Sequence, residues 1–347
     1  GKDILSRWLQ HPLDKKEDIE TRQQAIKELS YYNDFRETFR ITGCLNKNDE
    51  TTMNDLKKWI ASPSIFLQKK SNQWICWAVP VINIILFVLG MMNVISMSWF
   101  GLVFCSFAIA SSKLIRKITL IQETYNKTLK MLSTYVRLIE LADKQSMESP
   151  LLIALKKEFE NHGKKAPQIL GILAKELDRL DLRNNLILYA LLEGSMFWQL
   201  RQMLRIERWK EEYGAHLLQW LEALGQLDAL SALGTFAFNH EEYTYPIITD
   251  QPFVFRAKNM GHPLMPRKQC VVNDAEIPQR PYFLIITGAN MAGKSTYLRT
   301  IGCNYILACI GAPVCCSSLE FYPAHLMTSL RTSDSLANNE SYFFAEL

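Results

Sequence analysis

Apolar positions are spread unevenly along this chain. Residues 71–112, SNQWICWAVPVINIILFVLGMMNVISMSWFGLVFCSFAIASS, hold no Asp, Glu, Lys or Arg over 42 positions. Lys69 and Lys70 precede the run, and Lys113, Arg116 and Lys117 follow it. A helical bilayer crossing needs roughly 20 apolar residues. The run holds two such stretches, 74–92 and 94–110, with a tight turn near 93–98. Basic residues flank only the outer ends, which the positive-inside rule reads as both ends cytoplasmic. Trp74, Trp77 and Trp99 fall at the expected interfaces. Pro80 and Asn83 are the awkward positions, tolerated where a neighbouring helix re-satisfies the backbone. The competing reading is a buried hairpin in a soluble core. Core helices usually keep a polar stripe, and this run has none.

Elsewhere the pattern is helical and charged. Residues 5–29 predict a helix start, a break at Pro12 and Leu13, then an amphipathic helix. Residues 114–142 carry Ile118, Ile121, Tyr125, Leu129 and Leu132 at helical spacing, as one long helix leaving the hairpin. Residues 149–180 predict further helix, broken near 161–167. In 186–233, Trp198, Trp209 and Trp220 recur every 11 residues, which keeps them on one helix face and favours core packing. The character changes at Tyr243. Short strand-like runs fall at 243–248, 253–255 and 270–272. The apolar run 282–287 ends in Gly288, as a buried parallel strand should. A helical region therefore gives way to an α/β region between residues 240 and 250.

The 347-residue length suits two or three domains. A formal net charge of +4 is mild and does not by itself call for nucleic acid. Eight cysteines without a CxxC pair argue against zinc and for a reduced, cytoplasm-facing protein. The chain opens on Gly1 without a secretory n-region and reads as a fragment at both ends.

The stretch most specific for chemistry is Gly288-Ala289-Asn290-Met291-Ala292-Gly293-Lys294-Ser295, followed by Thr296. It fits G-x-x-x-x-G-K-[ST]. The glycines let successive N–H groups point at phosphate oxygens, Lys294 adds positive charge, and Ser295 offers a hydroxyl to Mg²⁺. A helix from Ser295 would present its N-terminus to the anion. A glycine-rich turn with an exposed lysine is the plainer alternative. Hydrolysis also needs a carboxylate that holds Mg²⁺. Between Ser295 and Leu347 the acids are Glu320, Asp334, Glu340 and Glu346, and none ends an apolar strand as required. No catalytic residue is therefore assigned, and this segment alone is expected to bind ATP poorly or transiently and to hydrolyse it negligibly.

The loop TGANMAGKSTYLRTIG resembles the phosphate loop of the MutS family of ABC-type ATPases, of the form TGPNMGGKST. The Asn290–Met291 pair is its distinctive part, with Ala289 in place of the usual Pro and Ala292 in place of Gly. Gly261-His262-Pro263 and Val272-Asn273-Asp274 resemble elements that precede the loop in that family. Ser333 to Leu336 and Glu340 to Phe343 resemble the stretch that meets the ATP of a partner subunit, which implies a trans contact from Ser341. The opening LSRWLQHPLDKKEDIETRQQAIKEL and residues 205–246 resemble the family's core helices, so the likeness covers more than half of the chain. A Phe-x-Glu triplet at Phe35–Glu37 lies inside that helical region and reads as a chance match. The resemblance starts at the core helices, and no mismatch-reading domain is expected among these residues.

The resemblance implies a multidomain fold. An all-α core and lever region, 1–70 and 113–240, is expected. The transmembrane hairpin read from the apolar run at 71–112 is inserted in it as a departure from the family, which has long lever helices and a DNA clamp there. An α/β P-loop ATPase domain, 241–347, follows and is incomplete at its C-terminus. It implies ATP and Mg²⁺ as cofactors, and a homodimer formed through the ATPase domains. Membrane lipid is a partner by the hairpin, with a multi-pass membrane location. DNA is a further partner implied by the family, with Lys156, Lys157, Lys164 and Lys165 as phosphate contacts or as a solvated face. The function so implied is an ATP-dependent dimeric switch that binds DNA at a membrane. The alternatives are a membrane-bound MutS-related ATPase acting on a non-DNA partner, and a transporter-type ABC protein, for which one hairpin offers too few helices.

Overall fold

The computed structural model describes residues 1–44, 50–161, 163–180, 186–289 and 292–329. They are mostly helical, with one small mixed sheet and a two-stranded hairpin. They divide into two compact units. One comprises residues 1–7 and 24–239, the other residues 8–23 with the described part of 240–347.

Helices α1 (Lys2–Gln10) and α2 (Lys16–Tyr31) are separated at the predicted Pro12 break, where proline withholds the N–H that would continue a helix. Helices α3 (Asn33–Cys44) and α4 (Glu50–Ala61) lead to α5 (Lys70–Met91) and α6 (Met97–Lys144). The turn between α5 and α6 is where the apolar pattern predicts it. Asn93 takes a left-handed conformation (φ 56) and the Ser96 hydroxyl caps α6 by accepting from Ser98 N. The second apolar stretch and the long charged helix are one continuous helix of 48 residues.

Helix α7 (Pro150–Glu158), strands β1 (Glu160–Asn161) and β2 (Lys164–Lys165), and α8 (Ala166–Leu180) follow. The expected break near 161–167 is thus a tight antiparallel pair. Glu28 secures the start of α7, its carboxylate accepting from Glu148 N at 2.7 Å and Ser149 N at 2.6 Å. Helices α9 (Leu186–Met196) and α10 (Trp198–Asn239) are separated at Phe197, whose φ of 50 breaks what the sequence reads as one helix. Trp209 and Trp220 are buried, as the 11-residue spacing predicts, and Trp209 Nε1 donates to Ile169 O at 2.9 Å. Trp198, in the first turn after that break, is half-buried and donates to Arg179 O at 3.2 Å.

The second unit is built on strands β3 (Ile247–Ile248), β4 (Phe255–Met260), β5 (Asn273–Ile277) and β6 (Ser318–Phe321), with α11 (Lys294–Cys309) between β5 and β6 in sequence. The sheet order is β3-β6-β4-β5, with β3 parallel to β6 and the other pairs antiparallel. Its core joins Phe255, Met260, Ala308, Val314 and Phe321 to Ile19 of α2.

Three strand expectations need correction. The run 243–248 pairs only at Ile247–Ile248 and at a single Thr244–Val314 bridge. Pro246 lies between them and has no N–H for a ladder. The strand expected at 270–272 begins at Asn273, because a 3-10 turn at Arg267–Gln269 closes on Cys270 and Ala275 is the residue that pairs with buried Ala257. The run 282–287 forms no strand. Among the described residues nothing pairs with it, and a parallel strand without neighbours cannot satisfy its backbone or bury its side chains. Phe283 and Ile285 are accordingly 88% and 83% exposed.

Candidate functional site

Helix α11 starts at Lys294 because Gly293 precedes it in a left-handed conformation, φ 87 and ψ 9. Only glycine takes that conformation at little cost. A Cβ at Gly293 would meet nothing, so backbone shape rather than space selects glycine there. The first helical hydrogen bond runs from Tyr297 N to Gly293 O at 2.9 Å. The N–H groups of the preceding turn have no acceptor inside the helix, and no side chain caps them. A helix end with free donors favours an anion.

Lys294 folds back over the loop. Its Nζ donates to Gly288 O and, at 3.0 Å, to Ala289 O. Charge and free N–H groups are thereby held within one turn of each other. Beside them lies a cleft of about 630 Å³, which Thr287, Ala292, Gly293, Lys294 and Thr296 line from the loop side. Ser295, the expected Mg²⁺ ligand, is exposed and does not line the cleft. Asn290, Met291 and Ser341 lie outside the described residues.

The opposite wall comes from the two upstream elements singled out in the sequence. His262, Asn273 and Asp274 line the same cleft. Asp274 accepts from Lys258 Nζ at 2.8 Å and Asn259 N at 2.9 Å. The bond from the Lys258 ammonium holds its carboxyl below the usual carboxylate range. Tyr297 of α11 donates to Asp274 O at 2.8 Å, which fixes helix to strand across the cleft floor.

Sequence reasoning missed Asn304. It is fully buried, and its Nδ2 donates to Gly261 O at 2.9 Å and Thr300 O at 2.8 Å. Its Oδ1 accepts from Cys315 N at 2.8 Å. One amide thus ties α11 to the Gly261 turn and to the segment leading into β6. A lone Asn within the apolar run IGCNYILAC was the available signal. Glu320, considered as a source of catalytic carboxylate, instead pairs with Arg256 at 3.0 Å on the sheet. Among the described residues no group of three His, Cys, Asp or Glu is arranged to hold a metal ion.

In the helical unit, α5 is long and apolar enough to cross a bilayer, whereas the apolar start of α6, Met97–Ser111, is shorter. Trp77, Ile84 and Ile85 are exposed at 77%, 63% and 51%. The exceptions face inward. Asn83 is buried and donates to Gly194 O at 3.0 Å and Ser195 O at 3.2 Å, so the awkward polar residue caps the end of α9. Of the four lysines considered for DNA, Lys156 donates to Asp143 O and Gln145 O at 2.9 and 2.6 Å, and Lys165 pairs with Asp143 at 2.7 Å. Lys157 and Lys164 are exposed.

A glycine-started helix carrying a lysine over a cleft is a geometry that suits an anion. The model of MutS domain V matches residues 284–347, which include it. The chain is 31% identical over 160 residues to the DNA mismatch repair protein MutS of Lactococcus lactis subsp. lactis (strain IL1403), covering 44% of this chain and 19% of that protein. It is 32% identical over 162 residues to the protein of the same name from Exiguobacterium sp. (strain ATCC BAA-1283 / AT1b), covering 45% of this chain and 18% of that one. On these matches the chain is similar to MutS proteins over part of its length, including the 284–347 stretch that carries the loop. It spans about a fifth of the length of the curated relatives it matches, 19% for the Lactococcus protein.

Proposed function

We propose that this chain is the ATP-binding part of a MutS-like switch, held at a membrane by the α5–α6 hairpin. The observation that carries the nucleotide reading is the Gly293–Lys294 helix start facing a cleft of about 630 Å³, within the size range of small-molecule sites. The residues present fit a nucleotide phosphate. Free first-turn N–H groups and the Lys294 ammonium supply donors and positive charge, and Gly288, Ala289, Ala292 and Gly293 supply backbone without bulk. Thr296, which lines the cleft, and Ser295, by the family pattern, would offer hydroxyls to Mg²⁺, with Asn290 and Met291 completing the loop by the same pattern. Bound ATP with Mg²⁺ would supply a charged group whose presence or loss distinguishes two states.

A homodimer around the nucleotide, with Ser341 acting in trans, rests on the family resemblance. DNA as the partner rests on the name of the relatives, DNA mismatch repair protein MutS. A second reading, a membrane-bound MutS-related ATPase acting on a non-DNA partner, is favoured by one observation. Two of the four candidate DNA lysines, Lys156 and Lys165, are engaged within the helical unit. In either reading the hairpin anchors the protein.

The test is nucleotide binding by the full chain, followed by equilibrium dialysis with radiolabelled ATP and Mg²⁺. Lys294→Ala is predicted to weaken binding at least tenfold, about 1.4 kcal/mol. Unchanged affinity would reject the assignment of the loop. Retention of duplex DNA that falls steeply with added salt would favour the DNA reading over the second one.

A further inference from the structure

Helix α10 carries Arg201, Arg205 and Arg208 at i, i+4 and i+7, which sets three guanidinium groups on one helix face. Opposite them stand Gln73, Trp77, Val81 and Ile84 of α5, and between the two walls lies a cleft of about 510 Å³. One wall is therefore apolar and continuous with the exposed hairpin surface. The other is cationic.

That positive charge is poorly compensated among the described residues. Arg201 Nη2 donates to the Cys76 carbonyl at 2.6 Å, a bond that fixes its position without neutralising it. Arg205 reaches Glu176 at 3.4 Å, but Glu176 is already held by Arg179 at 2.7 Å. Arg208 forms no ion pair among the described residues. Glu207, the adjacent carboxylate, is turned away and accepts from Ile65 N, Phe66 N and Leu67 N at 2.9, 3.0 and 2.7 Å.

Depth along α5 matters as much as charge. Arg201 is level with Cys76, and Glu207 is level with residues 65–67, so the arginine row runs from the second turn of α5 back past the start of that helix, where Lys69 and Lys70 lie in sequence. If α5 spans the bilayer, that is headgroup depth on the cytoplasmic side.

We propose that this cleft binds the phosphate headgroup of an anionic phospholipid, with Arg205 and Arg208 holding the phosphate and Trp77, Val81 and Ile84 lying along the acyl chain. Guanidinium groups bind phosphate oxygens through paired hydrogen bonds, and a lipid offers both the anion and the chain that the two walls require. The inference rests on the reading of α5 as a membrane span.

The test uses the full chain reconstituted into phosphatidylcholine vesicles, with brominated phosphatidylglycerol or brominated phosphatidylcholine as quenchers. The readout is the Trp77-dependent part of the fluorescence, the difference between the wild type and Trp77→Phe. Saturable quenching by the anionic lipid alone is expected. Arg205→Gln with Arg208→Gln is expected to raise half-saturation at least tenfold, and Arg205→Lys with Arg208→Lys to recover part of it. Lys157→Gln with Lys164→Gln, exposed charges elsewhere on the unit, should leave it unchanged.

Equal quenching by the two lipids, or an equal effect of the lysine pair, would overturn the site while leaving the membrane span standing. Relief of quenching by soluble glycerol phosphate at matched concentration would show a site for free phosphate esters and overturn the lipid assignment. Failure of the chain to float with either vesicle would overturn the span itself, and the site with it.

Discussion

Two apolar segments of this protein are exposed, and they differ in what their backbones can do alone. Helix α5 bonds its backbone within itself over most of its 22 residues, the Cys76 carbonyl facing Pro80 being taken by Arg201, and leaves Trp77, Ile84 and Ile85 uncovered. Residues 282–287 leave Phe283 and Ile285 uncovered as well, but join no ladder among the described residues. Exposed apolar side chains alone do not say what should cover them. The backbone does. A self-bonded helix of sufficient length suits lipid, where no water would bond a free carbonyl. An extended hexapeptide suits a neighbouring strand, which would satisfy backbone and side chains together.

The comparison can be broken most forcefully in α5. Ile85→Asp with Val88→Asp places two charges on its exposed face, each costing about 3 kcal/mol at the centre of a spanning helix. The double variant is expected to move from the membrane pellet to a soluble or aggregated fraction. A variant that stays in the pellet and is released only by detergent would mean that this face does not meet lipid.

A smaller effect is expected at Asn83. Asn83→Leu keeps the apolar length of α5 but removes the donor to the Gly194 and Ser195 carbonyls. A loss of about 1–3 kcal/mol is predicted from detergent-solubilised thermal unfolding, because the carbonyls are left buried without a partner. No change would mean that α9 is capped by something other than Asn83.

The smallest effect should come from the other segment. Ile285→Asp, at a position 83% exposed, should alter the thermal stability of this chain by less than about 0.5 kcal/mol. A loss several times larger would show that 282–287 is covered after all.

The outline of the helical unit was legible because its signals are local. A charge-free run, a proline break and an 11-residue tryptophan interval each state a period or an end, and α2, α5, the hairpin turn and buried Trp209 and Trp220 follow from them. The α9–α10 break was not legible, since nothing in the composition around Phe197 marks its positive φ. The strands fared worse for a physical reason. Ala275 is a strand residue because Ala257 lies opposite it, and that pairing is a property of two distant segments.

At the candidate site the loop could be read from Gly288, Gly293 and Lys294, and His262, Asn273 and Asp274, which line its cleft, fall in the two upstream elements that carry the family resemblance. Asn304, the amide that holds these pieces together, could not, because its role depends on the Gly261 carbonyl and the Cys315 amide, far from it in sequence. The arginine row of α10 is not legible in the sequence for the same reason. Its spacing is ordinary for a solvated helix face, and only the neighbouring wall of α5 makes it a cleft.

The most direct measurement of the central claim is membrane fractionation of the full chain, followed by an alkaline carbonate wash. The account predicts that the protein remains in the pellet and is released by detergent, as a helix α5 that crossed the bilayer with its exposed face against acyl chains would require. Release of folded protein into the carbonate supernatant would contradict it, and would mean that Trp77, Ile84 and Ile85 are covered by protein rather than by lipid.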